Sequence, residues 1–402
     1  MSHTPPTLAP GLRNATLAQA AGTVLRASLL LPGLAALSAL APLSAGAENA
    51  PEKTTIAVKY GDYKDWQPGW DRVKVKAPQL YVQAPIAGEW AVEGTLVGDS
   101  VSGATPRWYT ERSGATQHMK DYRRAGDFKV TRYLPRAAFS ASVAYSTEHD
   151  YISRAIGLEA RWSSDDNNRT WNLGFGHSSD VIDNSSNGVN TAIDRHKRTN
   201  ELMAGVTQVL TPNDIAQLNL TRSVGGGYFN DPYKSFDLRP SQRNAWIALA
   251  RWNHYLEPFR ASLRSSYRYY HDSFGVNSHT LGLDWVQPAG AWTFTPGVRY
   301  YSQSAARFYV DPVFTSQGAV DLSPLLALYG QNRFVSADQR LAAFGATTLS
   351  LKAAYAFTPD LVVDAKIESY RQSAGRHLGG GGSPGLAPFS ARFMQLGLTY
   401  RF

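Results

Sequence analysis

The chain has 402 residues with no Cys, 10 Trp, 21 Tyr, 16 Phe and 34 Gly, and its mean hydropathy is −0.31. Forty Lys and Arg against 32 Asp and Glu leave a formal charge of +8, too small and too scattered an excess for nucleic acid. The absence of Cys excludes lipidation at a thiol, thiolate metal sites and c-type haem attachment, and suits an exported chain that must avoid stray disulfides.

At the amino terminus, residues 27–45 are apolar, broken by Pro32 and Pro42, preceded by Arg13 and Arg26 and followed by Ala45-Gly46-Ala47. This pattern predicts a signal peptide over residues 1–47, cleaved after Ala47. Its removal takes away two arginines and no acid, lowering the +8 by two. Beyond residue 50 no apolar run is long enough for a helical membrane span, and residues 48–402 are read as one domain.

From Thr54 onward about sixteen alternating segments follow, each roughly ten residues long, the length of a tilted membrane strand. Their connections alternate in character. Short Pro- or Asp-rich turns fall at residues 84–88, 134–136, 164–168, 211–214, 257–258, 287–290 and 358–360. The opposite connections are long at 101–124, 180–196, 226–242, 303–340 and 373–389, and brief near Asp150 and His271. Seven turns and eight outer loops predict an all-β fold, a transmembrane antiparallel β-barrel of about sixteen strands with both ends on the turn side. Pro78 and Pro296 are expected to mark bulges or phase slips.

Period-two alternation sorts the faces. Toward lipid fall Phe139, Val143 and Tyr145, then Ile156, Leu158, Leu173, Phe175, Leu281, Leu283, Leu349 and Leu351. Aromatics cluster near strand ends, and Trp90, Trp162, Trp171, Trp285, Trp292, Tyr355, Tyr400 and Phe402 are the expected interfacial girdles. Toward the lumen fall Glu89, Glu93, Lys129, Glu159, Arg161, Arg260, Arg264, Arg268, Asp284, Arg299, Lys352, Asp364, Lys366 and Glu368. A charge facing lipid costs about 2–4 kcal/mol, so their common phase predicts a polar interior of mixed sign.

Residues 260–268 place Arg260, Arg264 and Arg268 on one face. Such a ladder either guides anions along a pore wall or pairs across the lumen with Glu159, Asp284 or Glu368 into a closed interior. The long loop 303–340 contains an apolar stretch, Leu322 to Tyr329. It is expected to form a short helix, either folded into the mouth, which it would narrow, or packed on the rim. The tract Gly379 to Gly382 reads as flexible.

Most histidines of the mature chain sit in or near outer loops: His118, His149, His177, His196, His271, His279 and His377. Glu148-His149-Asp150 and His271-Asp272 put imidazole beside carboxylate, but neither spacing holds ligands on one face. No G-x-S-x-G, phosphate-binding loop or dinucleotide fingerprint occurs. The expectation is no enzyme, no catalytic residue, no metal and no cofactor. The last segment, residues 392–402, alternates up to the terminal Phe402, as an outer-membrane barrel strand does.

Several loop-proximal strings carry a family resemblance. They are residues 99–107 (Asp-Ser-Val-Ser-Gly-Ala-Thr-Pro-Arg), 145–151 (Tyr-Ser-Thr-Glu-His-Asp-Tyr), 163–168 (Ser-Ser-Asp-Asp-Asn-Asn), 227–234 (Gly-Tyr-Phe-Asn-Asp-Pro-Tyr-Lys), and 267–270 followed by 278–280. Together they resemble a widespread Gram-negative outer-membrane family classed as a domain of unknown function. The resemblance implies a barrel and an exported location, and it implies no substrate or catalytic residue. Members of that family look to accompany periplasmic thioredoxin-like proteins, small lipoproteins and flavin-attaching transferases. A periplasmic redox protein is therefore an expected partner, beside outer-membrane lipid, lipopolysaccharide and the barrel-assembly machinery. Two functions are carried forward: a channel or transport barrel constricted by loop 303–340, and a non-conducting barrel that anchors or sheathes a periplasmic redox or flavoprotein system.

Overall fold

The computed structural model describes residues 49–103, 106–108, 111–112, 119–184, 192–232, 234, 236–311, 313–314 and 320–402. The expected leader 1–47 and His118 lie outside the described residues. Among the described residues there are twenty strands: β1 (Thr55–Gln67), β2 (Trp70–Ile86), β3 (Trp90–Gly103), β4 (Pro106–Trp108), β5 (Glu111–Arg112), β6 (Met119–Leu134), β7 (Ala137–Thr147), β8 (Tyr151–Ser163), β9 (Arg169–Asn184), β10 (Ala192–Thr211), β11 (Asp214–Gly227), β12 (Gln242–Leu256), β13 (Ala261–Asp272), β14 (Asn277–Ala289), β15 (Trp292–Gln303), β16 (Val313–Phe314), β17 (Val320–Asp321), β18 (Phe344–Ala356), β19 (Leu361–Ser373) and β20 (Phe389–Arg401). Sixteen of them close an antiparallel barrel, while β4–β5 and β16–β17 are small hairpins within outer connections. The barrel shuts where β1 meets β20, in unbroken register from Thr55 opposite Arg401 to Trp66 opposite Ser390. Beyond the Thr55–Arg401 pair, Thr54 and Phe402 exchange backbone hydrogen bonds, so both strands that close the barrel have their chain ends on the turn side.

The seven short turns join β2–β3, β6–β7, β8–β9, β10–β11, β12–β13, β14–β15 and β18–β19. On the other rim a third brief connection, Pro68-Gly69, links β1 to β2, with Gly69 at φ 77°. The sixteen barrel strands run from 11 to 20 residues rather than about ten. Much of what reads as the loops 101–124 and 180–196 is therefore strand. Above the membrane both faces are wet, so hydropathy no longer alternates although the backbone ladder continues.

Neither proline breaks the register. Pro78 stays opposite Tyr60, and Pro296 opposite Leu351. On the other side of each strand two pairs are lost, yet the pairing resumes in the same register. A missing N–H removes ladder bonds without adding a residue. The register shifts lie instead at Lys64/Trp66, Val209/Thr211 and Ala192/Arg195.

The outward face is an apolar belt: Leu96, Phe139, Leu158, Leu202, Leu218, Leu281, Leu349 and Leu396 are all exposed on it. A continuous surface of this kind is stable in hydrocarbon and not in water. Among the described residues no helix is long and apolar enough to cross a membrane, and the apolar belt is carried by the strands. The eight expected girdle residues gather at the turn end. Trp90, Trp171 and Trp292 open strands there, Trp162, Trp285, Tyr355 and Tyr400 close them, and Phe402 follows. Trp292 packs on Tyr355 at 4.8 Å, and Tyr400 stacks on Phe402 at 5.7 Å. They make one ring rather than two. A second ring at the loop end is built by Trp66, Tyr122, Tyr145 and Trp246, which sequence reasoning left out.

Candidate functional site

The inward face carries charge of both signs, much of it paired. Lys352 Nζ lies 3.4 Å from Asp364, and Lys366 Nζ 2.6 Å from Glu368, tying β18 to β19 and bracing β19 along its length. Lys129 meets Glu93 at 2.9 Å between β6 and β3, and Arg161 sits 3.7 Å from Glu159 on β8. Arg299 Nη2 donates to Thr348 Oγ1 at 3.2 Å. Glu89, by contrast, is exposed in the β2–β3 turn and off the wall.

Arg260 also leaves the expected ladder. It caps a 3-10 turn at Glu257–Phe259 in the left-handed conformation, φ 48°, and is exposed at the rim. The strand begins one residue later, so the two-residue period that binds Arg264 to Arg268 does not reach Arg260. Its place is taken by Arg251 on β12, opposite Ser266 and thus between Arg264 and Arg268 in height. Arg251 Nη1 donates to Gln217 Oε1 at 3.4 Å, and the Arg268 guanidinium lies over the Tyr270 ring at 5.4 Å. None of these three arginines forms an ion pair with a described residue. Asp284 is opposite Arg264 in register without closing to ion-pair distance, and Glu159 and Glu368 are engaged elsewhere. The cross-lumen pairing that the sequence leaves open is not formed. Arg251 went unread because residues 244–256 alternate poorly.

Glycine thins the wall at this level. A Cβ on Gly297 would collide with the Asp284 carboxylate and Ser350, and one on Gly205 with the amides of Asn172 and Asn219. These glycines are register partners of those polar residues. Polar side chains thus lie flat on the barrel wall instead of projecting across the lumen.

The loop end of the barrel is covered by a folded cap. The apolar stretch in loop 303–340 forms helix α1 (Ser323–Gly330). Leu325 is buried there among Val335, Ala337, Phe236, Tyr309, Val310 and Leu328, all loop residues, so α1 packs on the cap rather than against the wall. Two further clusters dock the cap on the barrel. Phe274, Val276, Ala306 and Leu341 pack with the wall residue Tyr270, and Ala342, Phe344 and Leu386 with the wall residue Tyr301. Tyr309 contributes to all three clusters. Gln303 Nε2 donates to the Ala342 carbonyl at 2.7 Å, and short bridges link Leu238 to Val335 and Tyr309 to Ser336.

An ion network locks two loops together. Arg239 reaches Asp237 at 2.8 Å and Asp338 at 2.8 Å, with both carboxylates fully buried. Arg340 bonds Asp231 and Asp338, and Lys234 Nζ lies 3.3 Å from Gln339 Oε1. Burial acts to raise the Asp338 pKa, but Arg340, Arg239 and Lys234 outweigh it and hold the carboxyl well below the usual range. Asp237 is shifted the other way, because burial exceeds the pull of Arg239. Burial lowers Lys234, against the attraction of Asp338 and Asp231. Lys234 also feels Arg72 of β2, so the cap reaches from the β11–β14 rim across the mouth. Arg72 is aimed inward by the β1–β2 bulge, 3.7 Å from Asp65 and over the Phe389 ring at 4.9 Å.

The acid–histidine pairs do not assemble. Alternation sends His271 outward to Asn277, while Asp272 points inward and accepts from Arg243, Tyr270 and the Phe274 and Val276 amides. His149 and Asp150 lie in the β7–β8 connection, five barrel strands away. Among the described residues no group of three His, Asp or Glu side chains is arranged to hold a metal ion.

Comparison with known proteins places this geometry among barrels. Residues 109–393 match a family described as "Protein of unknown function (DUF3570)". No curated protein matches the chain. Among solved structures, CdiB from Acinetobacter baumannii is similar with a TM-score of 0.50 at 9% identity, over 87% of this chain and 60% of that one. A bacterial polysaccharide outer membrane secretin gives 0.48 at 10% identity, over 87% and 98%. A FadL homologue of Pseudomonas aeruginosa gives 0.43 at 12% identity, over 87% and 90%. The likeness to CdiB is one of fold.

Proposed function

The chain belongs to the DUF3570 family, and from its lumen and cap we propose that it is an outer-membrane channel for small anionic solutes, closed at rest. The observation that carries this reading is the stripe of Arg251, Arg264 and Arg268 on β12 and β13, guanidinium groups facing a polar lumen with no carboxylate in ion-pair contact. Fixed charge of one sign on a confined wall raises the local concentration of the opposite ion. Side chains laid flat over Gly205 and Gly297 favour an open bore. Sixteen strands enclose a lumen wide enough for an aqueous path unless something fills it, and here the cap covers its mouth.

The test is conductance of refolded protein in planar bilayers. Wild type is expected to be almost silent. Arg239→Ala with Asp338→Ala and Arg340→Ala, which removes the ion pairs between loops 228–241 and 304–343, is expected to give discrete openings that prefer anions. Silence from a correctly folded, lock-free barrel sinks the channel reading in favour of a plugged anchor for a periplasmic partner.

A further inference from the structure

On the lipid-facing side, at the loop end, three cations stand side by side across the seam that closes the barrel. Lys64 of β1 is the register partner of Lys74 on β2 and of Arg392 on β20. All three alternate with the outward belt: Val58 and Tyr60 below Lys64, Leu80 below Lys74, and Met394 and Leu396 below Arg392. Lys76 continues the patch along β2, and Arg371 extends it on β19. Two acids offer partial compensation: Asp71, 2.8 Å from Lys64 and 3.8 Å from Lys74, and Asp62, which shares the outward parity of Lys64 and is the register partner of Lys76. Arg392 has no ion pair with a described residue.

Like charges directly opposite each other on an antiparallel pair weaken it. Here the conflict falls on both sides of β1, with β2 and, across the seam that joins the first strand to the last, with β20. Elsewhere on the same rim it is avoided: Arg154 of β8 and Arg198 of β10 both face Ser179, which separates them. Height is also informative. From the girdle residue Tyr400 to Arg392 the strand covers about 26 Å, or about 20 Å along the membrane normal at a tilt of ~40°. The triplet therefore sits where acyl chains end and headgroups begin.

We propose that Lys64, Lys74 and Arg392 bind the phosphorylated headgroup of an outer-leaflet glycolipid, and that this lipid clamps the closing seam. A bis-phosphorylated headgroup supplies two anions to a patch wider than one cation. Its acyl chains lie along the belt formed by Tyr60, Leu80, Met394 and Leu396. The site rests on the barrel's orientation in an outer membrane and not on conduction, so it stands or falls separately from the channel.

The experiment compares heat-induced unfolding of the refolded barrel in phosphatidylcholine vesicles, alone or doped with bis-phosphorylated lipid A, with its dephosphorylated form, or with inorganic phosphate in the buffer. Lipid A is expected to raise the unfolding midpoint by about 2–4 °C over the dephosphorylated lipid, and inorganic phosphate to give no comparable rise. Lys64→Ala/Lys74→Ala/Arg392→Ala is expected to fold in plain vesicles with unchanged or higher stability, since repulsion is relieved, and to lose the gain from lipid A. Arg154→Ala is expected to keep it. Equal midpoints with phosphorylated and dephosphorylated lipid, a free-phosphate effect as large as that of the lipid, or a triple variant that retains the gain would each overturn the proposal.

Discussion

Two stretches of the same wall treat charge in opposite ways. On β18 and β19 each inward cation has a carboxylate beside it, Lys352 with Asp364 and Lys366 with Glu368. On β12 and β13 the inward Arg251, Arg264 and Arg268 have no carboxylate within ion-pair distance, although Asp284 stands opposite Arg264 and Glu201 interacts with Arg268 at longer range. Strand geometry and facing are the same in both, so the difference lies in the cross-strand neighbour. Lys352 sits diagonal to an acid, whereas Arg251 is opposite Ser266 and Arg268 opposite Thr280, and Asp284, opposite Arg264, lies flat over Gly297 instead of closing on it. A paired wall braces the barrel; an unpaired wall leaves its field for whatever occupies the lumen.

The largest effect should come from inverting the unpaired wall. In the lock-free background, Arg251→Glu/Arg264→Glu/Arg268→Glu is expected to turn anion preference into cation preference, read as a change of sign in the reversal potential under a salt gradient. The paired wall should respond in stability instead. Lys352→Ala strands Asp364, which is nearly buried, and is expected to cost about 1–3 kcal/mol in urea unfolding from vesicles. Adding Asp364→Ala should recover part of that loss, while Arg264→Ala, which breaks no ion pair, should cost less than Lys352→Ala. If both single variants cost the same, the distinction between the walls is wrong.

The smallest effect is expected from acid. Asp338 has a depressed pKa, so its contribution to the lock is present above the ordinary carboxylate value of 3.8 and is lost only when pH falls through its own lower value. Asp237 has a raised pKa, so taking up a proton relieves a buried charge and favours the folded cap as pH falls. Both signs keep the mouth shut under mild acid. Conductance of wild type at pH 4.5 should match that at pH 7.

The barrel itself was largely legible in the sequence, because each of its cues is local. Turn chemistry such as Thr211-Pro212-Asn213-Asp214 marks one rim, and unbroken alternation such as residues 139–145 assigns both faces. Where a cue ceases to be local, the reading fails. Arg260 has the right parity but belongs to a turn, and Arg251 lies in a strand whose inward residues, Ile247 and Leu249, are as apolar as its outward ones. The cap was beyond reach for the same reason. Leu322 to Tyr329 announces a helix, but nothing near it announces Phe236, and Arg239 gives no sign of Asp338.

Tyr309 belongs to every apolar cluster of the cap, and the loops it joins are cross-linked by Arg239 and Arg340. A lid fastened in this way cannot lift petal by petal. Releasing one loop would strip shared packing from the others, so on the channel reading proposed above the cap should move as one unit between shut and open, with no partly drawn position that the packing favours.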